Sequence, residues 1–258
     1  MSKEQLSDIL AELALDPVMF VETMLQVKPE KWQKKFLQNV MENPRCAVKS
    51  GHGVGKTAVL SWLILWWVFT RHPCKVVCTA NTAHQLSDVL WAEAQKWARR
   101  LPESFYSQMD VKSDKINIAG STDSYAVARV SRRENPEALQ GFHSENLLFI
   151  IDEASGVDDK IFEVGEGSLS TPDAKVVMTG NPTRTSGYFF NAFHAMRDRW
   201  TKMTVSCSDS SQVSKEFIED MNLKYGTDSN VYRVRVLGEF PKAEDDTVIP
   251  LYMVESSI

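Results

Sequence analysis

Apolar positions along this chain fall into two alternating textures. Near the start, Leu6, Ile9, Leu10 and Leu13 recur at helical spacing. Ser2 to Leu25 therefore reads as an amphipathic helix or pair of helices, interrupted at Pro17. From Arg45 onward, short apolar runs alternate with longer helical ones. The runs 45–49, 75–79, 146–151 and 174–179 are predicted strands, and 200–205 alternates like one. Between them, 57–70, 83–100, 158–168, 187–199 and 214–225 are predicted helices. In the second of these, Leu86, Val89, Leu90, Ala94 and Trp97 share a face. Val111 to Ile118 and Tyr125 to Val130 read as a β-pair around the turn Gly120–Asp123. Continuous apolar strands alternating with helices predict an α/β fold with a mostly parallel sheet covered on both faces. Ligands of such sheets bind at the C-terminal ends of the strands.

Beyond Leu237, the segment Gly238-Glu-Phe-Pro-Lys-Ala-Glu-Asp-Asp246 has the composition of a linker. The expected organisation is an N-terminal helical segment (1–30), one domain (31–240) and a linker (241–258). The length of 258 residues suits this and buries a substantial core. Lys and Arg number 29 against 34 Asp and Glu, a net charge of −5, so no global field draws the chain onto nucleic acid. Any such contact needs a local patch. Cys46, Cys74, Cys78 and Cys207 lack a second ligand pair near Cys74 and Cys78 and read as reduced, mostly buried thiols. The N-terminus has no apolar core of a signal peptide. The longest apolar stretch, Ala58 to Phe69, is shorter than the about 20 residues that span a bilayer. A soluble intracellular protein with no membrane partner is expected.

The chemistry concentrates after the strands. Ser50-Gly-His-Gly-Val-Gly-Lys-Thr57 follows the first strand and opens a helix. It fits the phosphate-loop pattern G-x-x-x-x-G-K-[ST], with Ser50 in place of the first glycine. Gly51, Gly53 and Gly55 let the backbone amides of the loop, His52 and Val54 included, curl around an anion. Lys56 adds charge at the β- and γ-phosphates, and the Thr57 hydroxyl suits Mg²⁺. His52 is expected to face solvent or a partner. The strand Leu147–Ile151 ends in Asp152-Glu153. Side chains alternate along a strand, so the two carboxylates diverge: Asp152 suits Mg²⁺, and Glu153 suits polarising water. At the end of the next strand, Thr179, Gly180 and Asn181 suit sensing of the γ-phosphate, or form a turn. Trp32-Gln33 could stack on and pair with adenine, or Trp32 could be a core residue. Arg129, Arg132 and Arg133 are candidates for an arginine finger, a solvated loop or a DNA-phosphate contact, and all three readings stay open.

Taken together, Trp32-Gln33, Ser50–Thr57, Asn135-Pro-Glu-Ala-Leu-Gln-Gly-Phe-His143, Leu147–Ser155 and Thr179–Pro182 make the chain resemble the ATPase domain of a tailed-bacteriophage terminase large subunit. The resemblance spans roughly Lys31 to Phe240. It implies a P-loop NTPase fold of the ASCE/RecA-like kind, using ATP and Mg²⁺. It implies a ring on the portal protein, partnered by a terminase small subunit, that drives double-stranded DNA into a procapsid in the host cytoplasm. Carried onto matching residues, Lys56 and Thr57 hold phosphate and Mg²⁺, Asp152 holds Mg²⁺ and Glu153 activates water. Thr179 to Asn181 couple hydrolysis to movement, Trp32 and Gln33 lie on the adenine side, and the finger falls among Arg129, Arg132 and Arg133. Such proteins usually continue into a nuclease domain. The few residues after Leu237 hold no acidic cluster of that kind, so no DNA cleavage is expected of this chain. The competing expectations are a helicase-like ATPase and a nucleotide-binding switch with little turnover.

Overall fold

A computed structural model describes residues 3–130, 139, 141–168, 171 and 173–242. The chain opens with helices α1 (Lys3–Leu15) and α2 (Pro17–Met24). Pro17 divides them because it starts α2, where its missing amide costs nothing. Asp16 caps that start, accepting from the amides of Val18 and Met19 at 2.9 and 3.0 Å. Helix α3 (Lys31–Glu42) leads into β1 (Arg45–Ser50), followed by α4 (Lys56–Thr70) and β2 (Cys74–Ala80). A π-helical stretch, Gln85–Trp91, then runs into α5 (Ala92–Ala98), and a short α6 (Glu103–Tyr106) follows.

Here the expected β-pair is present, with its first run divided in two. Three strands form an antiparallel meander: β3 (Met109–Val111), β4 (Lys115–Ile118) and β5 (Ser124–Ala128). The run 111–118 is cut by the polar triplet Lys112-Ser-Asp114, which turns so that the Lys112 amide meets the Lys115 carbonyl at 2.7 Å.

The second half comprises β6 (Asn146–Asp152), α7 (Asp159–Ser168), β7 (Lys175–Gly180), α8 (Tyr188–Phe193) and β8 (Thr201–Val205), then α9 (Lys215–Tyr225) and α10 (Asn230–Tyr232). A π-turn, Arg233–Leu237, continues directly from α10. The helix expected over 187–199 stops at Phe193. The Asn191 carbonyl takes the amides of both His194 and Met196, which ends the helical ladder.

All eight strands form one sheet in the order β3-β4-β5-β2-β6-β7-β1-β8. From β5 to β8 every neighbouring pair is parallel. Strand alternation splits the core in two. Val76, Leu148 and Ile150 face α1 to α5, while Val77, Phe149 and Ile151 face α7 and α8. Helix α4 is buried on nearly all sides, as its apolar run, interrupted only at Ser61, requires. A third, small cluster (Cys207, Met221, Tyr232, Val236) ties together the last helices. The four cysteines are free and buried. Burial pushes the Cys46 and Cys74 thiols up to about 12 and about 11. Among the described residues, no helix is long and apolar enough to cross a membrane.

Candidate active site

Strands β1, β6 and β7 are adjacent, and their C-terminal ends carry the predicted groups. The phosphate loop leaves β1 at Ser50 and enters α4 at Lys56. Its first half is tied outward. The Gly51 amide donates to the Val205 carbonyl at 2.9 Å, and the His52 amide to the Arg235 carbonyl at 2.8 Å. The Cys207 thiol donates to the His52 carbonyl, and Ser210 Oγ to that of Val54. The amides of residues 53 to 57 donate to no other described backbone group. They sit at the N-terminus of a fifteen-residue helix, where the dipole favours an anion.

Lys56 is buried, with Nζ donating to Ser50 Oγ at 3.0 Å and lying 4.0 Å from Glu153 Oε1. Ser50 therefore supplies a hydroxyl where the loop pattern has a bare glycine, and it holds the lysine. His52 is exposed at the loop, as expected. Its imidazole is held below the usual range by partial desolvation and by the charges of Lys56 and Arg235.

Asp152 is 3% exposed and accepts from Thr179 Oγ1 at 2.6 Å and from the Glu153 amide at 3.0 Å. Both bonds end on Oδ1, and no described residue donates to Oδ2. A buried carboxylate with one oxygen held and one open fits a cation. Among the described residues no group of three or more His, Cys, Asp or Glu side chains is placed to hold a metal. Asp152 and the half-buried Thr57 hydroxyl offer hard oxygens of the kind Mg²⁺ takes.

Glu153 adopts the left-handed conformation, φ 49°. That is uncommon outside glycine and costs energy that the surrounding contacts must supply. Burial pushes its carboxyl above the usual range; Asp152 adds to the rise, and Lys56 and the Asn181 amide oppose it. Asn181 Nδ2 also donates to the Ser50 carbonyl at 2.6 Å, bridging the ends of β7 and β1. The Thr179 hydroxyl is committed to Asp152.

The remaining candidates separate. Trp32 is buried in the core, and its Nε1 donates to Glu30 Oε2 at 3.0 Å, which favours the core reading over stacking. Gln33 lies beside the loop, 3.5 Å from the Gly55 carbonyl. Arg129 sits just beyond β5, paired with Asp114 at 3.3 Å. Arg132 and Arg133 lie outside the described residues. Sequence reasoning quoted Ser155 only as the end of a motif; its hydroxyl meets that of Thr183 at 2.9 Å and links the β6 and β7 loops. That reasoning missed the chain from Val205 to Val213 and from Arg233 to Phe240, which clasps the loop from the far end of the sequence. There Glu239 forms an ion pair with the buried Lys49 of β1, whose ammonium lies over the Phe193 and Phe240 rings. Burial holds that ammonium below the usual lysine range, with Glu239 opposing.

A parallel sheet with a phosphate loop after β1 and an acid pair after β6 defines a P-loop NTPase fold. The chain matches the family described as terminase large subunit, T4likevirus-type, N-terminal, over residues 49–254, and it belongs to that family. It is 28% identical over 251 residues to the probable terminase large subunit of Enterobacteria phage P7, covering 92% of this chain and 51% of that protein. The chain thus spans about half the length of this curated relative. The large terminase ATPase domain of Thermus phage P74-26 shares the fold, with a TM-score of 0.70 at 17% identity over 88% of this chain and 99% of that one. So does the large terminase of a thermophilic bacteriophage, solved in complex with ADP. Its TM-score is 0.65 at 16% identity, over 91% of this chain and 54% of that one.

Proposed function

We propose that this chain is a Mg²⁺-dependent ATPase whose hydrolysis drives double-stranded DNA into a procapsid, within a homo-oligomeric ring on a portal protein. The observation that carries the catalytic part is the convergence of Lys56, Asp152 and Glu153 at neighbouring strand ends. The motor part rests on membership of the terminase family. The ADP held by the thermophilic-phage relative supports the choice of nucleotide. Residues 1–30 are an accessory helical segment in this reading, 31–240 the motor domain and 241–258 a linker.

The loop amides and Lys56 bind the β- and γ-phosphates. Thr57 and Asp152 would hold Mg²⁺, which supplies charge neutralisation on the phosphates when bound. Glu153 accepts a proton from water as its oxygen attacks the γ-phosphorus, and the bond to the β-γ bridging oxygen breaks, giving ADP and phosphate. Lys56 stabilises the charge that gathers on the leaving oxygens. Thr179 holds Asp152 in register, and Asn181 carries changes at β7 to the loop.

The test is steady-state ATP hydrolysis with Mg²⁺, with and without long linear double-stranded DNA. The expected result is Mg²⁺-dependent turnover that rises with DNA. Turnover indifferent to DNA in the assembled ring would refute the motor; stimulation by single strands alone would favour the helicase-like alternative.

The pH profile follows from Glu153. The base works ionised, and its carboxyl is raised above the ordinary 4.5. As pH falls, the protonated, inactive form therefore accumulates earlier than for a free glutamate. The kcat/KM profile, which reports the unliganded site, should show an acid limb with its midpoint above 4.5. A midpoint at or below that value would contradict the role.

A further inference from the structure

Two primary carboxamides meet in front of Gly55, and the mechanism above uses neither. A Cβ built on Gly55 would lie 2.8 Å from Gln212 Nε2, 3.0 Å from Gln212 Oε1 and 3.0 Å from Gln33 Nε2. The two amides thus share one small space at the entrance to α4, beside the amides that face the phosphates.

Glu30 organises both. Gln33 Oε1 accepts from the Glu30 amide at 2.9 Å and its Nε2 donates to the Gly55 carbonyl at 3.5 Å, which leaves one N–H to offer. Glu30 Oε1 in turn accepts from the Ser211 amide and hydroxyl at 2.7 and 2.6 Å. Ser210 Oγ accepts from the Gln212 amide at 3.2 Å and donates to the Val54 carbonyl at 3.3 Å. The backbone of Gln212 is therefore pinned to the loop, while its carboxamide is exposed and has no hydrogen-bond partner among the described residues. It offers a donor and an acceptor together.

We propose that Gln212 reads the purine edge and selects adenine over guanine. This rests on the nucleotide-binding reading of the same site. Adenine presents an N6 donor beside an N7 acceptor, which a carboxamide matches with two bonds. Guanine presents O6 and N7, both acceptors, so the amide oxygen faces another oxygen. Gln33, with its oxygen committed, contributes one donor and does not discriminate alone.

The experiment uses the full chain, as wild type, Gln212→Ala and Gln212→Glu. Equilibrium titration gives Kd for ADP, GDP and tripolyphosphate, the last reporting on the phosphate loop alone. The wild type should prefer ADP to GDP by about tenfold or more, the scale of one bidentate base contact. Gln212→Ala should bring the ratio close to one with the tripolyphosphate Kd unchanged. Gln212→Glu, an acceptor only, should weaken ADP further. The inference is overturned if the wild type shows no preference, or if both folded variants keep its ratio. Those outcomes leave the ATPase reading standing. Failure of the wild type to bind ADP or tripolyphosphate in any assembly state defeats both.

Discussion

Glu153→Gln is expected to lower ATP turnover by about 10²–10⁴-fold, the usual worth of a positioned general base, while ADP and ATP still bind. The substitution keeps side-chain length and leaves an oxygen to accept from the Asn181 amide. It also keeps an L residue in the φ 49° conformation, so the backbone is not relieved. What it removes is the capacity to take a proton. It also removes a half-buried charge 4.0 Å from Lys56, so the loop lysine is freer to follow the phosphates. Steady-state hydrolysis alongside nucleotide titration separates the effects. Turnover within a factor of a few of the wild type would remove Glu153 as the base.

Gly238→Ala should produce the largest loss of stability among the loop contacts. Gly238 has φ 67°, and a Cβ there would lie 2.7 Å from the Gly51 nitrogen and from the Ser50 carbonyl carbon and Cα. All three are backbone atoms at the base of the phosphate loop and cannot rotate aside. The left-handed conformation costs about 1–2 kcal/mol for a non-glycine residue. Overpacking adds about 1–3 kcal/mol. At about 2–4 °C per kcal/mol for a chain of this size, Tm should fall by roughly 10 °C. Nucleotide affinity should fall with it, because the collision displaces the loop. Gly120→Ala is the control: Gly120 has φ 79° with nothing within 4 Å, so a methyl group there meets no neighbour. Equal melting temperatures for the two variants would show that residue 238 does not bear on the loop.

Much of this was legible because it is local. The apolar runs of β1, β2, β6 and β7 are buried strands, and the loop and acid pair sit at their ends, where a parallel sheet presents ligands. The failures were also physical. Lys112–Asp114 breaks a strand through a turn three residues long, below the scale of periodicity. His194 ends a helix through a carbonyl shared by two amides, which composition does not reveal. Trp32 has the same character as a stacking ring or a core ring, and only its neighbours decide. The clasp on the loop joins residues 51 and 52 to residues 205 and 235. No window of sequence spans such contacts, and Gln212 reads as an ordinary turn residue until the fold sets it against Gly55.

That clasp has a mechanical consequence. Chain passing through Pro241 and Lys242 meets, within four residues, the Glu239 pair to Lys49 and the backbone contact of Gly238 with Ser50. A pull at that point loads the base of the phosphate loop before it loads any helix of the sheet's other end. Tension entering there therefore reaches the end of β1 and the start of its loop through one ion pair and one close backbone approach.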